Sequence, residues 1–400
     1  MRILSIETSC DETAVSIIEA KGDLKSLSFK VLGNALFSQI NIHKEYGGVY
    51  PMMAKREHSK NLPPILKNAL TQASLYNETK TNYSEKLWEE VKITVSREEG
   101  LYGGLRSTFE NIERPDIDVI GVTNGPGLAP ALWVGVSCAE ALETLWDVPI
   151  IPVNHMEGHI ASVLIENSDA RHVVFPALAL LISGGHTELV DIEGWGKYKV
   201  IGETVDDAVG EAFDKTARML GLPYPGGPEI SRLAEYAREN NIPHIAKLPR
   251  PMLHSHNNNF SFSGLKTAVL YYIRDHFNKD SALMTKDEKS DLAREFEDAV
   301  VEVLLQKTEK VLEQSDIKTL IVAGGVIANK KIRKEFTEFE KKYPGLAVKI
   351  PTNSLSTDNA LMIASAAYIN IILSPEILIK PAKITAEGNL KLKQNLLQND

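Results

Sequence analysis

Short apolar runs rich in β-branched residues recur along this chain, separated by small polar or glycine-rich turns. Residues 3–19, "ILSIETSCDETAVSIIE", predict a strand, a turn and a second strand, because apolar β-formers flank Thr8, Ser9, Cys10 and Asp11. The same grammar returns in "ALALLISGGHTELVDI", Ala177 to Ile192, with Gly184 and Gly185 at the bend. Downstream of each hairpin a strand runs into a glycine turn and then a helical pattern, in "DVIGVTNGPGLAPALWVGVSCAEALETLW" and "KTLIVAGGVIANKKIRKEF". This twofold pattern predicts an internally duplicated α/β protein of two lobes with a ligand cleft between them.

The turns "SGG", "NGPG", "YPGGP" and "AGG" suit a nucleotide-type ligand, because glycine lets backbone N–H groups approach a phosphate closely. Each also suits a tight connection. Neither a dinucleotide fingerprint nor a P-loop occurs, so a phosphate site would be of the hairpin-loop type.

Composition narrows the picture. The 400 residues are 43% hydrophobic, enough for a large core. Cys10 and Cys138 are the only cysteines, which excludes a disulfide framework and fits a reducing compartment. The start "MRILSIETSC" lacks the marks of a leader, and no apolar run is long enough for a bilayer, so a cytoplasmic protein without membrane contact is expected. A mitochondrial matrix chain numbered without its leader would look the same. The net charge of −9 argues against diffuse nucleic-acid binding, although a local basic patch can still hold RNA.

In "VNHMEGHIAS" two histidines stand four apart. On a helix His155 and His159 share a face and could hold one metal. A zinc protease needs His-Glu-x-x-His, whereas here the order is His-Met-Glu-Gly-His, so Glu157 is misplaced as a base. The apolar strand "PIIPVN" delivers the pair at its end, where sites in open α/β sheets gather. Asp358, in "PTNSLSTDNALMIASAA", is the candidate third ligand, and it equally suits the start of a helix.

Taken in order, "ETSCDETA", "HMEGH", "SGGHTEL", "DDAVGEAFDKTARMLGLPYPGGP", "FSFSGLKTAV", "AGGVIAN" and "TDNALMIA" closely resemble the TsaD family of tRNA N6-adenosine threonylcarbamoyltransferases, from about Ile3 to Ala367. That family has also carried the name O-sialoglycoprotein endopeptidase. The resemblance implies a two-lobed, duplicated actin-like ATPase or sugar-kinase fold with RNase H-like lobes and an active-site cleft between them. It further implies transfer of the threonylcarbamoyl group from threonylcarbamoyl-adenylate to N6 of the adenosine 3′ of the anticodon, in tRNAs reading ANN codons, with release of AMP. Carried over by position, His155, His159 and Asp358 match the ligands of one divalent metal ion, Fe2+ or Zn2+. Leu181, Ile182, Ser183, Gly184 and Gly185 match the phosphate loop, and Asp214, Gly227 and Asn329 match the residues that hold the adenylate, with ATP as an alternative nucleotide. Asp11 and Glu12 are candidates to take the proton of the attacking amine, though acids are also frequent in solvated turns. Lys55, Arg56 and Arg250, near aromatic residues, are candidates for the tRNA backbone, though solvated faces also carry such residues.

The expected layout is an N-terminal lobe over 1–150, with a surface insertion at about 74–117 whose mixed charge and Gly103-Gly104 pair suggest a helix and a flexible loop. A C-terminal lobe follows over 151–375 with an inserted helical region at about 205–300, and then a poorly ordered polar tail over 376–400. Expected partners are tRNA and either a second copy or a paralogous actin-like chain with a small ATPase. A non-catalytic nucleotide-binding scaffold is the alternative from another class, and a metalloprotease is a third.

Overall fold

The computed structural model describes residues 1–79, 83–165, 173–379 and 384–392. The chain divides into two compact units, one of Met1–His172 with Asp358–Lys393, the other of Val173–Thr357 with Gln394–Asp400.

In unit 1, β1 (Arg2–Glu7) pairs antiparallel with β2 (Glu12–Lys21), Arg2 opposite Glu19 and Glu7 opposite Ala14. Strand β3 (Ser28–Ser38) continues the antiparallel side, while β4 (Val119–Gly125) and β5 (Ile150–Asn154) add in parallel, giving the order β3-β2-β1-β4-β5. Five of the six β1 residues are buried, as expected of a strand covered on both faces. One face is covered by α1 (Pro51–Gln72) and α4 (Ala129–Trp146).

Between them lie α2 (Glu85–Thr94) and α3 (Leu101–Phe109), and here the structure departs from the expected surface insertion at 74–117. Trp88, Val91, Leu101, Leu105 and Phe109 are fully buried in the unit-1 core. Phe109 meets Trp146 edge to face at 5.8 Å. The expected flexible Gly103-Gly104 loop is helical, and Gly104 is there for close packing: a Cβ on it would stand 2.7 Å from Pro63 of α1. The apolar residues at helical spacing in this segment outweigh its many charges, most of which face solvent, with Glu98 buried.

Unit 2 repeats the topology. Strands β6 (Ala177–Ile182), β7 (Thr187–Gly194), β8 (Lys197–Glu203), β9 (Thr319–Ala323) and β10 (Ala347–Lys349) form a sheet of order β10-β9-β6-β7-β8. Its hairpin β6-β7 and parallel neighbours β9 and β10 mirror β1-β2, β4 and β5. Helices α6 (Val209–Met219), α7 (Gly226–Glu239), α8 (Ser263–Phe277), α9 (Lys286–Gln314) and α10 (Lys330–Thr337) complete the unit. Phe213 of α6 packs edge to face on Phe296 of α9 at 5.2 Å in their shared core. This is the duplicated α/β architecture that the sequence pattern predicts, and it agrees with the actin-like class that the family resemblance implies.

The chain then returns to unit 1 as α11 (Ala360–Leu373), apolar all round and buried over nearly its whole length against β1, β2, β4 and β5. Small residues allow the close approach: a Cβ on Gly121 would lie 3.1 Å from that of Ala367, and Ser5 Oγ donates to the Ala360 carbonyl at 2.7 Å. The division therefore differs from the expected one at 150 and 375, because α11 supplies the missing cover of the first sheet.

Residues 384–392 differ from the poorly ordered tail expected there, whereas 380–383 and 393–400 lie outside the described residues. Glu387 donates its N–H to the Asn124 carbonyl (2.7 Å), and Gly127 donates to the Gly388 carbonyl (3.0 Å). No helix of the described residues is long and apolar enough to cross a membrane.

Candidate metal centre and nucleotide pocket

Strand β5 ends at Asn154, whose side chain accepts from the Met156 N–H (2.8 Å) and so starts α5 (His155–Ala161). One helical turn then places His155 and His159 on the same face, their rings 4.6 Å apart and nearly perpendicular. Gly158 lets α11 come close, since a Cβ there would stand 2.9 Å from Ile363. Asn359 caps α11 by accepting from Met362 N–H (3.0 Å), which leaves Asp358 just outside the helix, facing α5. Asp358 Oδ1 lies 3.3 Å from Nε2 of both histidines.

Two imidazoles and a carboxylate, with ligand atoms all within 4.8 Å of one another, suit a divalent transition metal. A second observation supports that fit. Both ring nitrogens of His159 are buried without an aligned hydrogen bond, the 3.3 Å approach to Asp358 being a close contact only. A buried lone pair without a donor is costly, and a metal would satisfy it.

The electrostatics follow from burial and neighbouring charge. Burial works against ionisation of Asp358, but the charge of His155 beside it holds its carboxyl far below the usual range. Burial lowers His155, yet Asp358 and Glu7 on either side outweigh it and raise the imidazole well above its ordinary value. Burial lowers His159. Glu157, the residue out of place for a protease base, is buried, accepts from Asn370 Nδ2 (3.2 Å) and is pushed up to about 7 by its burial.

Asp11 and Glu12 are both found at the β1-β2 turn, with Asp11 buried. Burial first, then the neighbouring charges of Asp11 and Asp358, push Glu12 well above the ordinary carboxyl value. Three residues that sequence reasoning passed over also surround the metal cluster: Glu7, Ser9 and Thr123. Glu7 and Ser9 stand in the "ETSCDETA" motif, a signal that could have drawn attention to them.

In unit 2, Gly184, Asp214, Gly227 and Asn329 line one cavity of about 460 Å3. Leu181 and Ile182, at the end of β6, have buried side chains, so only their backbone is available to a ligand. Ser183 closes the loop by donating its N–H to the His186 carbonyl (2.9 Å) and accepting from the His186 N–H at Oγ (3.0 Å). A Cβ on Gly184, Gly185 or Gly227 would meet nothing, so these turns present open backbone. Gly324 at φ +100° packs against this loop, where a Cβ would stand 2.4 Å from the Ile182 carbonyl. Asp214 accepts from the Gly226 N–H (2.7 Å) and thereby fixes the "YPGGP" turn. Asn329 caps α10 (Ile332 N–H, 3.0 Å) and donates Nδ2 to Glu297 (2.7 Å), so its side chain already has two partners. Gly210, Arg232 and Lys330 also line this cavity and were not anticipated.

The expected basic residues separate. Lys55 is in ion-pair contact with buried Glu98 at 2.9 Å, and Arg250 is held by Glu295 (2.5 Å) and Glu302 (2.7 Å). Arg56 is exposed, with only a 3.9 Å approach to Glu57.

A family profile described as TsaD, tRNA N6-adenosine threonylcarbamoyltransferase, matches residues 30–110 and 105–365. The tRNA N6-adenosine threonylcarbamoyltransferase of Ralstonia pickettii (strain 12J) is 43% identical over 94% of this chain and 93% of its own length. That of Paraburkholderia xenovorans (strain LB400) is 42% identical over 94% of each. Among solved structures, full-length HypF in its phosphate- and nucleotide-bound form superposes with a TM-score of 0.50 at 13% identity, covering 93% of this chain and 46% of that one. At that identity the shared property is the fold. Identity above 40% along almost the whole length carries more: this chain belongs to the TsaD family of tRNA N6-adenosine threonylcarbamoyltransferases.

Proposed function

We propose that this protein transfers the threonylcarbamoyl group of threonylcarbamoyl-adenylate to N6 of the adenosine 3′ of the anticodon in tRNAs reading ANN codons. The observation that carries this reading is the convergence of His155, His159 and Asp358, in a chain that shares the family's motifs from end to end. The adenylate is a mixed anhydride and already activated, so orientation, charge stabilisation and proton removal are what the chain must provide. The nucleoside part binds in the unit-2 cavity, with the backbone of Ser183, Gly184 and Gly185 toward phosphate and Gly227 beside the sugar. A divalent iron or zinc ion held by His155, His159 and Asp358 would supply Lewis acidity toward phosphate or acyl oxygens. As N6 forms its bond to the carbamoyl carbon, the bond from that carbon to the phosphate oxygen breaks and AMP leaves. The N6 proton passes to a carboxylate of the β1-β2 turn, Asp11 or Glu12. The raised value of Glu12, a consequence of its burial beside Asp11 and Asp358, increases the basicity of its ionised form.

Arg56 is the tRNA contact we favour, with exposed Lys60 on the same helix, while the internal ion pairs of Lys55 and Arg250 leave those two a structural part. A protein partner, a second copy or a paralogous chain, belongs to the same reading. The test is to incubate the protein with iron or zinc, threonylcarbamoyl-adenylate and unmodified ANN-reading tRNA, then analyse digested nucleosides by mass spectrometry. Threonylcarbamoyladenosine is expected from the native chain and is lost in His159→Ala. Its absence both from the chain alone and after addition of cell extract overturns the reading in favour of a non-catalytic scaffold.

A further inference from the structure

Glu7 is the last residue of β1, fully buried, and nothing in the reaction above uses it. Both of its oxygens are engaged. Oε1 accepts from the Ser9 N–H (2.5 Å), and Oε2 accepts from Thr123 Oγ1 (2.5 Å) and faces His155 Nδ1 at 3.1 Å. Ser9 Oγ is also 3.3 Å from that nitrogen. With donors from the chain filling its other positions, an ionised Glu7 can face Nδ1 only as an acceptor, so Nδ1 carries the hydrogen. In the neutral ring that a metal requires, the lone pair of His155 is then on Nε2, the atom that faces Asp358. His159 has no such support, since its Nδ1 is buried without a hydrogen-bond partner.

We propose that Glu7 is the positioning residue of the metal centre, fixing the tautomer and direction of His155 through its hydrogen bond to Nδ1. This rests on the reading of His155, His159 and Asp358 as metal ligands. The arrangement is a carboxylate–histidine–metal relay, in which the outer carboxylate also raises the donor strength of the ring. The backbone N–H of Ser9 anchors the carboxylate at Oε1, and Thr123 adds a contact to Oε2 on which the bond to His155 does not depend.

The change that tests this is Glu7→Gln, which keeps the shape. Its carboxamide oxygen can still accept from the Ser9 N–H, but an NH2 group then takes the place of Oε2, where the Thr123 hydroxyl can turn to accept from it while it opposes the His155 N–H and favours the wrong tautomer. The probe is Co2+ alone, titrated into metal-free protein with a competing chelator and followed by its visible d–d absorption. Thr123→Val is the control, since it removes a bond to the same carboxylate while leaving the one to His155. Glu7→Gln is expected to weaken Co2+ binding about 10- to 100-fold and to change the d–d spectrum, as loss of such outer partners typically does. Thr123→Val is expected to leave both close to native. A folded Glu7→Gln protein, by circular dichroism, with native affinity and spectrum overturns the positioning role while leaving the metal reading intact. Equal weakening in Thr123→Val overturns it too, by showing a general packing effect. Native protein that binds no Co2+ overturns the metal reading itself, and this one with it.

Discussion

Beneath the Cys10–Thr13 turn, protonation is set by burial. His58 Nε2 donates to the Cys10 carbonyl (3.0 Å), so its Nδ1 accepts from Thr13 Oγ1 (2.7 Å), and the neutral ring holds the turn that carries Asp11 and Glu12. Burial pushes the pKa of His58 down from 6.5 to about 4. Between those values the unfolded chain binds more protons, so stability rises with pH there. The contribution is complete above 6.5 and lost as pH falls through 4, and it amounts to about 3 kcal/mol. The melting temperature should therefore drop across that window, and less steeply in His58→Gln, which has no proton to gain. Identical slopes in a thermal melt series would show that other groups govern acid unfolding. At this scale the sequence made the candidate metal ligands legible, because their residue types and spacing are local or belong to family motifs. Glu7 stayed hidden, since its partner His155 is 148 residues away and no spacing rule links them.

Among the elements, α2 and α3 show how charge can disguise a core segment. The surface of α2 is crowded with lysine and glutamate, but its Trp88 is sealed between Tyr83 and Tyr102, with ring centroids 6.2 and 6.3 Å away. Trp88→Ala should cost about 3–5 kcal/mol, the range for emptying a large aromatic site. Urea unfolding measures it, and a loss below about 1 kcal/mol would mean that the helix pair is peripheral to the core. Strands β1, β2, β4, β5, β6, β7 and β9 were legible as apolar runs broken by small-residue or glycine turns, whereas β3, β8 and β10 were not read. The helix pair was not, because Gly103-Gly104 reads as a turn until Pro63 of α1 is seen to require the missing Cβ.

Unit 1 is discontinuous in sequence, and its stability depends on that. Residues 1–172 alone would leave β1, β2, β4 and β5 without α11, whose buried positions run from Ala360 to Ile371. Such a fragment should expose apolar surface and lack a cooperative melt, whereas 173–357, with its own sheet and core, should melt cooperatively. A cooperative transition in the 1–172 fragment by calorimetry would refute this dependence on α11.

The sequence by itself determined the two hairpins, the repeated strand–glycine–helix units, the histidine pair and the family, because each is written in local spacing or in ordered motifs. Tertiary structure alone decided which segment covers which sheet. It decided that Lys55 and Arg250 are taken up by Glu98, Glu295 and Glu302, and that residues 384–392 pack on the Asn124–Gly127 turn. It also decided that a glutamate of the first strand supports a histidine of the helix that follows the fifth. The physical reason is common to all of these: burial and hydrogen-bond satisfaction are enforced between groups that meet in space, and local sequence carries no record of that meeting.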